Sequence, residues 1–369
     1  MELVKPAPPH VDERIRRLVP YSPGKPVEEV KRELGLTDVI KLASNENALG
    51  PSPMAIRAIR AAAERVHAYP EGSCHELRAA VARRHNVPED WLTFGNGSDD
   101  VIHNLGLAFL LPGDEVIEAS PTFSQYATAA ALNNAACVSV PTTEWVHDLA
   151  AMADRITDRT RVVFIANPNN PTGTMVAQAE VDAFMRRIPE RALVVFDEAY
   201  HEYVERDDYP DALAYVRAGQ NVVVLRTFSK IFGLAGLRVG YGVARPEIVD
   251  YINRVREPFN VNLLAQAAAL AALDDAEHLL RSRELNRAGL TALSTRLRQM
   301  GLPFAPSEAN FVWVDVGRPC RSVFQALLSR GVIVRTGDVF GAPTHLRVTT
   351  GTAEGTARFL AALEEVLEI

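Results

Sequence analysis

The chain has 369 residues, 47% of them apolar, and its 39 Lys plus Arg against 46 Asp plus Glu give a net charge of −7. That composition excludes a predominantly disordered chain, and the length suggests about two domains; the acidic balance, with no basic stripe, argues against nucleic acid as a partner. Cys74, Cys137 and Cys320 lie far apart with no CxxC pair and no Cys/His cluster, so neither a disulfide framework nor a zinc site is expected and a cytoplasmic setting fits.

Residues 1–45 carry Pro6, Pro8, Pro9, Pro20, Pro23 and Pro26 around one helical stretch, Val27 to Glu33. They read as an arm with no core of its own. Ser52-Pro53 is an N-cap followed by proline at the first helical position, and apolar residues recur at helical spacing through Val66. A second helix is expected over His75 to His85.

Three near-continuous β-branched runs follow, at Arg161 to Ala166, Ala192 to Phe196 and Asn221 to Arg226. A helical pattern, Ala177 to Ile188, and a polar stretch, Asp207 to Ala218, separate them. Runs without polar alternation predict strands buried on both faces, as in a mostly parallel sheet with crossover helices. The fold class is α/β: a large α/β/α domain over 46–258.

Beyond Pro258 the texture changes to helical patterns at Leu263 to Leu273 and Glu277 to Met300, then the alternating Asn310 to Val316. A helix at Arg321 to Arg330, short strands near Val332 to Val334 and Leu346 to Val348, and a helix from Ala353 to Leu367 complete a smaller α+β domain over 259–369. No stretch approaches the length of a membrane span.

Chemistry-bearing residues cluster where strands end. Lys230 follows the run Asn221 to Arg226 within Thr227-Phe-Ser229-Lys230. A lysine at the carboxyl edge of an α/β sheet stands where such folds bind ligands, and desolvation would favour the neutral amine that forms Schiff bases. Alone, it reads more readily as a solvated lysine snorkelling from a loop. Asp197 ends another run as Phe-Asp-Glu-Ala-Tyr200, and Asn170 lies in the loop Asn167-Pro-Asn-Asn-Pro-Thr-Gly173 after a third. Gly95-Asn-Gly-Ser98-Asp99 precedes a helical pattern whose free amides suit a phosphate, although a plain turn before a helix explains it too. Together these are the parts needed to hold pyridoxal phosphate.

The Asn170-Pro-Thr-Gly173 loop, Asp197 with Tyr200, and Ser229-Lys230 with Arg238 resemble the fold-type I pyridoxal-phosphate-dependent aminotransferases over nearly the whole chain. Within that superfamily the chain is similar to the histidinol-phosphate aminotransferases, through Pro20-Tyr21-Ser-Pro-Gly-Lys25, Leu42-Ala-Ser-Asn-Glu-Asn47, Tyr69-Pro70, Gly95 to Asp99, Glu308-Ala-Asn-Phe311 and Leu346-Arg347-Val-Thr. Aromatic aminotransferases and decarboxylases of phosphorylated amino acids share many of these segments, and both stay open as alternatives.

The resemblance implies that Lys230 binds the cofactor covalently and moves the substrate proton, and that Asp197 pairs with the pyridinium nitrogen. Asn170 and Tyr200 would hydrogen-bond the cofactor's phenolate oxygen, and Phe123 would stack on its ring. Ser98, Asp99, Thr227, Ser229 and Arg238 would hold the phosphate, joined by Tyr69 of a neighbouring subunit in a homodimer with shared sites. Arg347 would take the carboxylate of glutamate or 2-oxoglutarate, Tyr21 and Arg335 the phosphate of an amino-alcohol phosphate, and Asn47 would order the entrance. A ligand-sensing module that kept the fold without catalysis is the reading from a different class.

Overall fold

The computed structural model describes residues 11–18, 20 and 24–368. The helix Val27–Leu34 buries Val30, which packs with Ala43 on Leu328 and Ile333. The short strand β1 (Ile40–Lys41) runs parallel to a later one, Val332–Ile333. The arm is therefore stitched to the C-terminal part of the chain by backbone pairing, as its proline-rich, coreless sequence requires.

Seven strands form the central sheet: β2 (Leu92–Gly95), β3 (Glu115–Ser120), β4 (Ala136–Pro141), β5 (Thr160–Ala166), β6 (Leu193–Asp197), β7 (Val222–Thr227) and β8 (Gly240–Ala244). Their order is β2-β8-β7-β6-β5-β3-β4, and only β8 runs against its neighbours. The three β-branched runs are β5, β6 and β7, and β6 and β7 are buried along their whole length. Apolar runs alone did not reveal the other four. Glu115 and Glu118 interrupt β3, and Gly240 and Gly242 thin β8. The polar stretch after Asp207 also contains a short helix, Ala212–Arg217, which buries Ala212, Leu213 and Val216.

Below the sheet, helices Pro53–Ala62 and His75–His85 share a core with Val163, Val194 and Val224. The helix Leu263–Leu273, whose pattern the sequence groups with the region after Pro258, joins this core. It buries Ala265, Ala268, Ala269 and Ala272 at helical spacing against Ala55 and Leu77. Its small side chains allow the close approach to Pro53–Ala62, so the change of core falls after this helix, not before it.

The smaller domain has a second core of Leu293, Leu297, Val312, Val314, Phe359 and Leu363. Strand β9 (Phe311–Asp315) pairs antiparallel with a later strand, and β10 (Val332–Ile333) is the partner of β1. Strand β11 (Arg335–Thr336) pairs with β12 (His345–Thr349), which lies between β11 and β9. The helix Ala276–Gln299 and the closing helix Ala353–Leu367 cover this sheet.

Candidate active site

Because β2, β3, β5, β6 and β7 point the same way, their carboxyl ends open on one edge of the sheet, where ligands bind in open α/β folds. A cavity of about 420 Å³ lies there. It brings together Ser98, Asp99, Phe123, Asn170, Asp197, Tyr200, Thr227, Ser229, Lys230, Arg238 and Arg347, residues drawn from seven separate segments. A larger cleft of about 630 Å³ beside the helix Ala276–Gln299 holds arginines and glutamates but no lysine and no helix start. Chemistry, not size, selects the site.

Asp197 closes β6 and is buried. Its Oδ2 accepts a hydrogen bond from the Tyr126 hydroxyl at 2.7 Å and its Oδ1 one from the Ala199 amide at 3.2 Å. Burial pushes its carboxyl up to about 6, although the Tyr126 bond opposes the rise. An acid held in this way, with no cationic side chain bonded to it among the described residues, suits a ligand that brings its own positive charge.

The helix Ser98–Phe109 starts at Gly97, whose φ of +86° and lack of a side chain let the amides of the first turn face the cavity. A Cβ at Gly97 would stand 2.5 Å from the Arg238 guanidinium, and one at Gly240 would stand 2.4 Å from the Ser98 amide. Both glycines thus keep a cradle open. Around it, Ser229 donates its amide to Thr227 Oγ1 at 3.1 Å, and Arg238 reaches Ser229 Oγ at 3.5 Å and Asp99 at 3.3 Å. Amides, hydroxyls and a guanidinium around one space form a phosphate-binding donor set. With Lys230 and Asp197 beside it, the residues present fit pyridoxal phosphate.

Arg347 donates to Asn170 Oδ1 and, at 2.7 Å, to the Ala43 carbonyl, and lies over the rings of Phe311 and Phe340. With Asn170 Oδ1 occupied as an acceptor, the amide nitrogen of Asn170 is left as the donor. Lys230 Nζ stands 5.6 Å from the centre of the Tyr200 ring.

Three expected residues lie elsewhere. Tyr69 is 83% exposed and stacks on Phe259 at 4.8 Å, outside its own cavity. Asn47 does not line the cavity. It braces the segment after the lysine instead, donating to the Ile231 carbonyl at 2.7 Å and to Ser282 Oγ at 2.8 Å. Arg335 faces Arg347 across β11 and β12 without lining the cavity, and directly opposed residues leave a sheet on the same face. Tyr21 lies outside the described residues.

Sequence reasoning missed Tyr126 and Asn45, which both line the cavity. Asn45 lies in the Leu42-Ala-Ser-Asn-Glu-Asn47 segment and has a φ of +57°, a conformation asparagine tolerates. Nothing local marks Tyr126 as the partner of Asp197. Among the described residues no cluster of His, Cys, Asp or Glu could hold a metal ion, and no helix is long and apolar enough to cross a membrane.

Residues 37–363 match the family described as aminotransferase class I and II. The histidinol-phosphate aminotransferase of Moorella thermoacetica is 55% identical over 97% of this chain and 93% of its own length; that of Symbiobacterium thermophilum is 51% identical over 96% and 97%. Among solved structures, the histidinol-phosphate aminotransferase of Sinorhizobium meliloti in complex with pyridoxal-5'-phosphate superposes with a TM-score of 0.90 at 28% identity. The match covers 98% of each chain.

Proposed function

The chain belongs to the class I and II aminotransferases, and from that premise we propose that it exchanges the amino group of L-histidinol phosphate for the oxo group of 2-oxoglutarate. The products are imidazole acetol phosphate and L-glutamate, and the reaction is a step of histidine biosynthesis. The observation that carries the reading is full-length identity of 55% to a histidinol-phosphate aminotransferase together with one cavity that gathers Lys230, Asp197, Asn170, Tyr200 and Arg238.

Pyridoxal phosphate supplies an electron sink for the electrons released at the substrate's Cα. Lys230 would hold it covalently, and its free amine would move the proton at the substrate's Cα. Asp197 would hold the protonated ring nitrogen, a charge that would compensate the desolvation raising its own carboxyl. Tyr200 and the Asn170 amide nitrogen would donate to the phenolate oxygen, and Phe123 would pack on the ring. Ser98, Asp99, Thr227, Ser229 and Arg238 would bind the phosphate.

Arg347, buried beside the rings of Phe311 and Phe340, would offer its guanidinium to the carboxylate of glutamate or 2-oxoglutarate. L-Histidinol phosphate has no carboxylate, so its phosphate needs another cation. Arg335, on the same face of the small sheet, and Tyr21 supply that end of the site. Tyr69 projects away from its own cavity and completes the phosphate site of a second subunit, making the enzyme a homodimer, and the free cysteines suit a cytoplasmic protein.

The test is the visible spectrum of the cofactor-loaded protein before and after L-histidinol phosphate is added without any oxo acid. Conversion to the amine form of the cofactor by this substrate, and not by phenylalanine, is expected. Conversion by phenylalanine alone would assign the chain to aromatic substrates. For the shared site, a Lys230→Ala protein mixed with a Tyr69→Ala protein should regain activity above the sum of the two, since hybrid dimers contain one intact site.

A further inference from the structure

Tyr200 has one hydroxyl hydrogen, and its use at the phenolate oxygen requires that hydrogen to point into the cavity. We infer that Asn45 is the positioning residue that aims it; the inference rests on the reading that pyridoxal phosphate occupies this cavity.

The orientation follows from a closed chain of donors and acceptors. Asn45's backbone N–H donates to Thr349 Oγ1 at 3.0 Å, so that oxygen is already an acceptor. Thr349's own hydrogen then goes to Asn45 Oδ1, also at 3.0 Å. With Oδ1 fixed as acceptor, the other end of the amide is the NH₂ group, and it stands 2.9 Å from the Tyr200 hydroxyl oxygen. That oxygen receives a hydrogen from Asn45 and cannot send its own back along the same line. Its hydrogen is left for the cavity side, and a hydroxyl that accepts one hydrogen bond becomes a stronger donor in the next.

The asparagine is itself held fast. It is buried at 2% exposure, its carbonyl accepts from Asn310 Nδ2 at 3.0 Å, and its φ of +57° is one that glycine shares without strain. Thr349 lies on β12 of the small domain and Tyr200 follows β6 of the large one, so Asn45 also links the position of the small domain to the aim of a cofactor-facing hydroxyl.

The experiment is a pH titration of the visible absorption of the cofactor-loaded protein, without substrate. A donor to the phenolate oxygen stabilises the charged phenolate and lowers the pH at which the bound cofactor changes colour. Asn45→Gly keeps the backbone and its two hydrogen bonds but removes the amide. It should raise the midpoint by about half a unit to one unit, the size of one hydrogen bond. In a Tyr200→Phe background the same substitution should add nothing.

Asn45→Asp keeps the shape and turns the donor into an acceptor. Its midpoint should rise further, and the part of the rise that vanishes in the Tyr200→Phe background is the part transmitted through the hydroxyl. A midpoint unchanged in Asn45→Gly, or shifts equal in both backgrounds for either variant, would overturn the inference while leaving the cofactor reading intact. A wild-type protein with no visible cofactor band would overturn that reading instead.

Discussion

Asp197 and Glu198 are consecutive, both buried, and yet built for opposite ends. Glu198 faces away from the cavity and is ion-paired with Arg226 at 2.5 Å, in a pair whose side chains are almost wholly enclosed. Burial pushes its carboxyl up and Arg226 opposes that rise. Asp197 faces the cavity with a tyrosine hydroxyl and one amide. The strand before Lys230 repeats the division, with Arg226 bonded to Glu198 on one side of the sheet and Thr227 lining the cavity on the other. A buried charge given its partner by the chain holds the fold, whereas one left to hydroxyls and amides awaits a ligand.

The cavity side should break first. On the proposed function, Lys230→Ala removes both the covalent hold and the proton carrier and should lower kcat by about 10⁴-fold or more, while the unfolding midpoint of the cofactor-free protein stays close to wild type. Single-turnover kinetics with L-histidinol phosphate measure the loss.

Paired substitutions of the two acids sharpen the contrast. Asp197→Asn should cut kcat by about 10²- to 10³-fold, the size of one lost charge stabilisation in an active site. Glu198→Gln should leave kcat nearly unchanged but cost about 2 kcal/mol of stability, because Arg226 stays buried with only the more distant Glu202, at 3.8 Å, as its carboxylate partner. Denaturant unfolding and steady-state rates separate the two; a Glu198→Gln enzyme that lost its rate and kept its stability would end the comparison.

The pH dependence of the cofactor-free protein carries the opposite sign for Asp197. Its carboxyl rises from 3.8 to about 6 on folding, so the folded state prefers the protonated form and loses stability as pH climbs through that window. The loss reaches about 3 kcal/mol above pH 6. Cofactor-free Asp197→Asn should therefore match wild type near pH 3.5 and be the more stable protein at pH 8, as thermal melts across that range would record.

The smallest effect is expected at the contact between Asp197 and its hydroxyl donor. Tyr126→Phe should cost about 1 kcal/mol and move the Asp197 carboxyl above about 6, since the lost bond favoured the ionised form. The carboxyl resonance of the cofactor-free protein, followed by NMR against pH, reports it directly.

The chain's local pattern determined the three central strands, because a β-branched run without polar alternation can only be buried on both faces. It also placed Asp197 at the end of one of those strands and Asn170 and Lys230 just beyond the other two, and a parallel sheet sends such positions to one edge. Motif resemblance supplied the cofactor and family. What the sequence left open depends on contacts between distant segments. Asn45 meets Tyr200 across 155 positions and Tyr126 meets Asp197 across 71. Asn47, two residues from Asn45, faces Ile231 and Ser282 rather than the cavity because the chain turns between them. A hydrogen bond between remote residues leaves no period, cap or run along the chain, so only the packing of arm, sheet and small domain decided which asparagine faces the site.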